Sequence, residues 1–397
     1  MEQNSIKGIP YGLTDYTRLA RENYYYVDKT HFIPLIEQFA SYLFLIRPRR
    51  FGKTLLINML AAYYDINNAD RFEELFGEQW IYEHPTSLRA KFMILRFNFS
   101  AVNSTPARLE ESFEKHCTER FVEFANNYEH LFQPGFREEL MSRTLASERL
   151  DYINSTASRL RLRIYLIIDE YDNFTNTILS TFGKDAYRKA THGEGFFRYF
   201  FNVLKFLTSG NSMALERMFI TGVSPITLDD VTSGFNIGTN ITTSPLFNSL
   251  VGFTETELRT MLEYYRDQGV LTMDVEEMIR DMKPWYDNYC FAKDSLDSDP
   301  KMFNCDMVLY YLRNYIDGGK APEQMIDPNT RTDYNKMKKL IQLDRLDGDR
   351  KGVLRRITEE GRIVADLVTS FPARDIIKPE IFPSLLFYYG MLTIIGT

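Results

Sequence analysis

The stretch "RLRIYLIIDEYDN" (161–173) runs through five consecutive apolar residues, Ile164 to Ile168, and then into two acids, Asp169 and Glu170. A strand with one wet face alternates apolar and polar residues, so an unbroken run reads as a strand covered on both sides, as in a parallel sheet. Four more short runs fit beside it: "SYLFLIR" (41–47), "KFMILRFNFS" (91–100), "RMFITGVSPI" (217–226) and, as a fifth strand, "NSLVGF" (248–253). Helical spacing fills the gaps, at "KTLLINMLAAYYD" (53–65), over 107–161 with a break near Pro134-Gly135, and over 194–208. Strands alternating with helices over 40–252 predict an α/β domain with helices flanking a parallel sheet. At "FTETELRTMLEYY" (253–265) the pattern changes: Thr254 and Glu257 make a capping box and a helix-rich region follows. The expected division is therefore residues 1–252 and 253–397, with a long exposed loop over 317–333.

The first strand leads straight into "LIRPRRFGKTLL" (45–56). A phosphate-binding loop reads G-x-x-x-x-G-K-[ST] after a buried strand, and Arg47 stands where its first glycine belongs. Gly52, Lys53 and Thr54 are intact. Gly52 permits close approach of the backbone to a phosphate, Lys53 can reach terminal phosphates, and Thr54 offers a hydroxyl to Mg²⁺ at a helix N-terminus. The bland alternative is a chance GKT. Asp169 at the end of the buried strand can hold Mg²⁺, and Glu170 next to it can activate a water; the alternative is that two acids merely end a strand. Each motif strengthens the other. Thr221 and Ser224 in "FITGVSPI" either sense a γ-phosphate or simply terminate their strand.

Composition removes other classes. A net charge of −7 argues against a general trap for nucleic acid, although a local basic patch stays open. Three separated cysteines argue against a disulfide framework and for a reducing compartment, and the five histidines make no metal-ligand pattern. The N-terminus has no basic start followed by an apolar run, and no apolar stretch approaches the ~20 residues of a membrane span. A cytoplasmic protein without a membrane partner is expected.

The ordered stretches "IPYGLTDYTRLARENYYYVDKTHFI", "LIRPRRFGKTLL", "LIIDEYDN", "FITGVSPI" and "PWYDNYCF…MFNCDMVLYYLRNY" span most of 9–315. In them the chain resembles a bacterial family of AAA-ATPase-like P-loop proteins, many of which carry a PD-(D/E)xK nuclease domain after the ATPase. The resemblance implies an ASCE-type P-loop NTPase sheet followed by a helical lid or winged-helix-like region. The family writes its P-loop as R-P-R-R-F-G-K-[ST], which makes Arg47 a family trait. Pro48 would stiffen the loop, Arg49 and Arg50 would add charge beside Phe51, and Asp28 in "YYYVDKT" would border the adenine. ATP with Mg²⁺ is implied, with Lys53 neutralising phosphate charge, Thr54 and Asp169 on the metal, and Glu170 polarising water. The alternative is an ATP-gated switch or scaffold with little turnover, serving a nucleic-acid-processing or defence partner or assembling with like chains. Two departures stand out. Asn288 replaces the glycine of the family's W-Y-x-G-Y, in a turn where Asn tolerates φ > 0. No Asp…Glu-x-Lys cluster is found in 253–397, so nuclease activity is not expected. The run "SLLFYYGMLTII" (384–395) reads as the end of the lid packed on its own core, or as a stub once joined to a further domain.

Overall fold

The computed structural model describes residues 6–210, 213–231, 238–297, 301–328 and 350–396. Five strands form the main sheet: β1 (Tyr42–Ile46), β2 (Met93–Asn98), β3 (Ile164–Asp169), β4 (Leu215–Gly222) and β5 (Thr239–Asn240). All pair in parallel, in the order β2-β3-β4-β1-β5. All six residues of β3 are buried, which is the reason its run is unbroken. The fifth strand is Thr239–Asn240; the run 248–253 contributes only a bridge from Phe253 to Phe303. Apolarity drew the expectation there, but those residues run as turn and bend, mostly buried, directly after the 3₁₀ turn Pro245–Phe247.

The strand order fixes where a ligand can sit. β1 leads through helix α1 (Lys53–Tyr64) to β2 at the far edge, and α1 packs over β3 and β2 on its way. The chain then returns through α2 (Leu109–Tyr128), α3 (Ala146–Arg159), α4 (Asn173–Thr191) and α5 (Phe196–Leu207). Because the path reverses at β1 and β4, a crevice opens at the carboxyl ends of these strands, the usual ligand position of an open α/β sheet. Inserting β4 between the P-loop strand and the acid-bearing strand is the ASCE arrangement, and the fold is that of a P-loop NTPase.

Downstream, α6 (Glu255–Asp267), α7 (Val275–Tyr286), the two-stranded antiparallel sheet of β6 (Asp287–Tyr289) and β7 (Met302–Phe303), and α8 (Cys305–Gly318) build a second apolar cluster. The Thr254/Glu257 capping box forms as expected. Asn288 lies in the short strand β6 and not in a turn. Helix α9 (Phe382–Tyr388) joins the core of the main sheet, so the run 384–395 serves that core and not one belonging to the downstream bundle. None of the helices searched among the described residues is long and apolar enough to cross a membrane.

Arg47 explains its own presence. It is fully buried, and it donates from Nη1 to the carbonyl of Ile46 (3.2 Å) and to that of Thr242, and from Nη2 to that of Phe247 (3.0 Å). Its guanidinium carbon lies 4.1 Å from the centre of the Phe291 ring. Burial pushes the guanidinium down to about 9, which still leaves it a cation at neutral pH. Where a glycine would give a supple loop, this side chain bolts the end of β1 to the chain after β5. Arg47→Met keeps the bulk but strands buried carbonyls, and should lower stability by about 2–4 kcal/mol. Urea denaturation measures it, and an unchanged midpoint would show that the loop does not lean on this residue.

Candidate nucleotide site

The P-loop makes its turns with Arg50 at φ 69° and Gly52 at φ 86°. A Cβ on Gly52 would meet Cys305 Sγ at 3.4 Å, an ordinary contact, so it is the conformation that calls for glycine. Phe51 anchors the loop, its buried ring edge-on to Tyr289 and Phe291 at 4.7 and 5.4 Å between centroids. The first backbone N–H of α1 to bond back is that of Leu56, to Gly52 at 2.9 Å, so the helix end presents its leading amides toward the crevice. Lys53 is buried and its Nζ donates to the carbonyls of Arg47 (2.9 Å) and Pro48 (2.8 Å). Burial lowers its affinity for the proton, and Glu170 and Asp169 pull the other way.

Asp169 gathers the site. Its Oδ2 accepts from Thr54 Oγ1 at 2.8 Å and from Asn98 Nδ2 at 3.4 Å; its Oδ1 accepts from Thr221 Oγ1 at 2.5 Å and from Glu170 N at 3.0 Å. Sheet register makes this inevitable, since Ile46 pairs Gly222 and Ile168 pairs Ile220, setting the ends of β1, β4 and β3 side by side. Glu170 adopts φ 48°, an uncommon conformation outside glycine, and its Oε2 accepts from Asn173 Nδ2 at 2.6 Å. Burial raises the Glu170 carboxyl above its ordinary value and Asp169 adds to this, while Lys53 opposes. Asp172, also buried, accepts from the amides of Val223 and Ser224 and from Asn176. Gly222 leaves room for the Tyr171 ring, which a Cβ would meet at 2.3 Å.

A cleft of about 450 Å³ opens over the loop, within the range of small-molecule sites. Arg49, Arg50, Phe51, Gly52, Lys53, Thr54 and Glu170 line it. Thr221, Ser224, Asp169 and Asp28 do not line it. Thr221 stands behind the carboxylate of Asp169; Ser224 is a buried turn residue on Asp172; Asp28 accepts the amides of Thr30 and Trp80. From the segment around Asp28, Tyr25, Tyr26, Val27 and Lys29 reach the cleft instead, and Leu250 to Phe253, Met261, Cys305 and Leu309 close its far side. Asn173 and Asn98 were missed in the sequence because a single asparagine carries no periodic or spacing signal; the "DEYDN" string held the first in plain view.

The oxygen set suits Mg²⁺. A threonine hydroxyl and one carboxylate, 2.8 Å apart beside a cationic loop, match a hard cation that keeps waters and substrate phosphates as its remaining ligands. The fold and this site define a P-loop nucleotide-binding protein.

Residues 10–232, more than half of the chain, match the family model of the predicted AAA-ATPases, and the chain belongs to that AAA-ATPase-like family. An uncharacterized protein from the vnfD 5′ region of Azotobacter chroococcum mcd 1 is 25% identical over 296 residues, covering 72% of this chain and 49% of that protein. The chain thus spans about half the length of this curated relative. Among solved structures, the Walker-type ATPase PABY2304 of Pyrococcus abyssi gives a TM-score of 0.42 at 10% identity, over 84% of this chain and 75% of that one. Cdc6p of Pyrobaculum aerophilum gives 0.34 at 11% identity, over 99% and 84%. At such scores neither likeness bears on the site.

If Thr221 orients the metal-facing carboxylate, Thr221→Val should weaken Mg²⁺-dependent nucleotide binding by roughly 10–100-fold, as loss of a supporting hydrogen bond does at metal sites. Nucleotide titrations at graded Mg²⁺ concentrations read this directly; an unaltered Mg²⁺ dependence would make Thr221 a strand terminator and nothing more.

Proposed function

We propose that the chain binds Mg·ATP in this cleft and hydrolyses it. One observation carries the reading: the Thr54 hydroxyl of the P-loop helix and the Asp169 carboxylate of β3, 115 residues apart in sequence, meet at 2.8 Å with Glu170 and Lys53 on the same cleft. ATP would lay its phosphates along the loop amides and its base among Tyr25, Tyr26, Val27 and Phe253. The metal, held by Thr54 and Asp169, would supply charge neutralisation on the phosphates. Lys53 would exchange its two loop carbonyls for phosphate oxygens and stabilise charge as it develops. Glu170, fixed by Asn173, would take the proton of the attacking water. In this reading the ATPase unit is 1–252 together with the C-terminal segment around α9 that shares its core, and the bundle 253–318 acts as its lid.

A second reading, an ATP-gated switch, is favoured by one particular contact. The loop carbonyls that a nucleotide would disturb are already held by the start of α8: Arg50 O accepts from Cys305 Sγ at 3.2 Å and Asp306 N at 3.3 Å, and Arg50 pairs with Asp306 at 3.6 Å. Movement of the loop on binding would pull on the bundle whether or not turnover is fast. A nucleic-acid or protein partner, or a second copy, would then be read through the bundle.

Calorimetry with ATP and Mg²⁺ tests the binding step. Lys53→Ala should abolish binding and leave the fold intact, and equal affinity in a folded variant would remove the hypothesis. Glu170→Gln should retain binding and lose hydrolysis. In the wild type the carboxylate must be ionised to accept a proton, so turnover should fall as pH drops through a value above the ordinary carboxylate range. Phosphate release against pH checks both points, and undiminished turnover in the Gln variant would move the proton acceptor elsewhere.

A further inference from the structure

Two arginines, Arg49 and Arg50, stand side by side in the P-loop and both line the cleft. The sequence treats them alike, and the structure gives them different company. Arg50, at φ 69°, pairs with Asp306 at the start of α8, 3.6 Å away, and its carbonyl accepts from Cys305 and Asp306 of the same helix. Arg49 belongs to the acids at the end of β3. Burial dominates proton binding at Lys53, Glu170, Asp172 and Tyr389, and at each of these the Arg49 charge is felt as well, lowering proton affinity every time. Lys53 and Glu170 share the cleft wall with it, Asp172 lies two residues past Glu170, and Tyr389 follows directly on α9.

Those acids are satisfied by other donors. Asp172 takes the backbone amides of Val223 and Ser224 and the side chain of Asn176, and Glu170 takes Asn173. A purely structural arginine looks different here: Arg47, two residues earlier, is fully buried on backbone carbonyls, whereas Arg49 is half-buried on the cleft wall. Its backbone is fixed, because Pro48 before it is wedged where a Cβ on Gly390 would lie 2.9 Å away, and the Pro48 carbonyl accepts from Lys53 at 2.8 Å.

We propose that Arg49 is a catalytic arginine supplied by the chain's own phosphate loop, its guanidinium passing from the acids at the end of β3 onto the γ-phosphoryl oxygens as charge builds there. The inference rests on the ATPase reading above and adds a second cation to that site. In hydrolysis the water oxygen bonds to the γ-phosphorus, the bond to the bridging β-phosphate oxygen breaks with its electron pair leaving on ADP, and the water proton passes to Glu170. Arg49 donates hydrogen bonds throughout and gives up no proton. Charge in the transition state spreads over three equatorial oxygens; Lys53 meets it as a point charge, and a guanidinium fork can meet two oxygens at once. A cation already held beside the reacting group by a fixed loop needs little rearrangement to act.

The test is steady-state phosphate release by the full chain with Mg·ATP, together with calorimetric binding of a non-hydrolysable ATP analogue, in Arg49→Ala and Arg49→Lys. Arg49→Ala should lower kcat roughly 100-fold or more, the effect of removing one charge-stabilising donor, and change analogue affinity far less. Arg49→Lys keeps the charge without the fork and should recover only part of the loss. Millimolar guanidinium chloride should restore part of the turnover of Arg49→Ala, and ammonium chloride at the same ionic strength should not. Circular dichroism shows whether each variant is folded, and the kcat of Arg49→Lys carries the test if the alanine variant is not. Undiminished kcat in a folded Arg49→Ala, a loss confined to analogue affinity, full activity in Arg49→Lys, or indifference of Arg49→Ala to guanidinium would each overturn the assignment. A wild type that binds ATP without hydrolysing it removes the ATPase reading itself, whereas a wild type that turns over no faster than Arg49→Ala removes this inference alone.

Discussion

Everything at the carboxyl edge of the sheet turns on one buried carboxylate. Asp169 accepts from Thr54, Thr221 and the Glu170 amide at once, with Asn98 at longer range. The donors sit on α1, on β4, on β2 and just past the end of β3, so the cluster forms only if β1, β4, β3 and β2 are all in register. The coupling runs both ways, because an unsatisfied buried carboxylate is expensive. Loss of register would strand it, and the correct register satisfies it with groups that also suit a metal and a phosphate.

The loop on the other side of that carboxylate is stiffer than a glycine-rich one. Arg47 pins its start to carbonyls beyond β5, Phe51 wedges between Tyr289 and Phe291, and the start of α8 holds the Arg50 carbonyl. Gly390, at φ 76°, packs where a Cβ would lie 2.9 Å from Pro48, and its carbonyl accepts from Tyr289 OH at 2.9 Å. The nucleotide loop is therefore built from sequence segments some 340 residues apart. Lys29 adds a further tie: buried, it donates to both oxygens of Glu257 at 2.6 and 2.7 Å and to Ser249 O at 2.9 Å. That joins the segment of Tyr25, Tyr26 and Val27, which lines the cleft, to the first turn of α6. A ligand that orders one of these elements is mechanically connected to the others.

The sheet, its parallel sense and the P-loop helix were legible from Ile164–Ile168 and from Gly52-Lys53-Thr54, because burial on both faces and phosphate approach each demand particular residue types in a row. The capping box at Thr254 was legible for the same local reason. The fifth strand was misplaced to 248–253, since apolar loop residues buried under a bundle look like a short strand when only hydrophobicity is read. Asp28 drew attention from Tyr25, Tyr26 and Val27 because it carries charge, yet its carboxylate is spent on the amides of Thr30 and Trp80.

The sequence by itself determined that this chain makes an α/β sheet with a phosphate-ready turn and an acid pair, since those features are encoded over a dozen neighbouring residues. Only the tertiary structure decided what Arg47 is for, that Thr221 supports Asp169 from behind, and that the last helix braces the P-loop instead of closing its own unit. Those outcomes depend on hydrogen bonds and ring contacts between segments distant along the chain, and a residue's type does not say which distant carbonyl, carboxylate or ring will lie beside it.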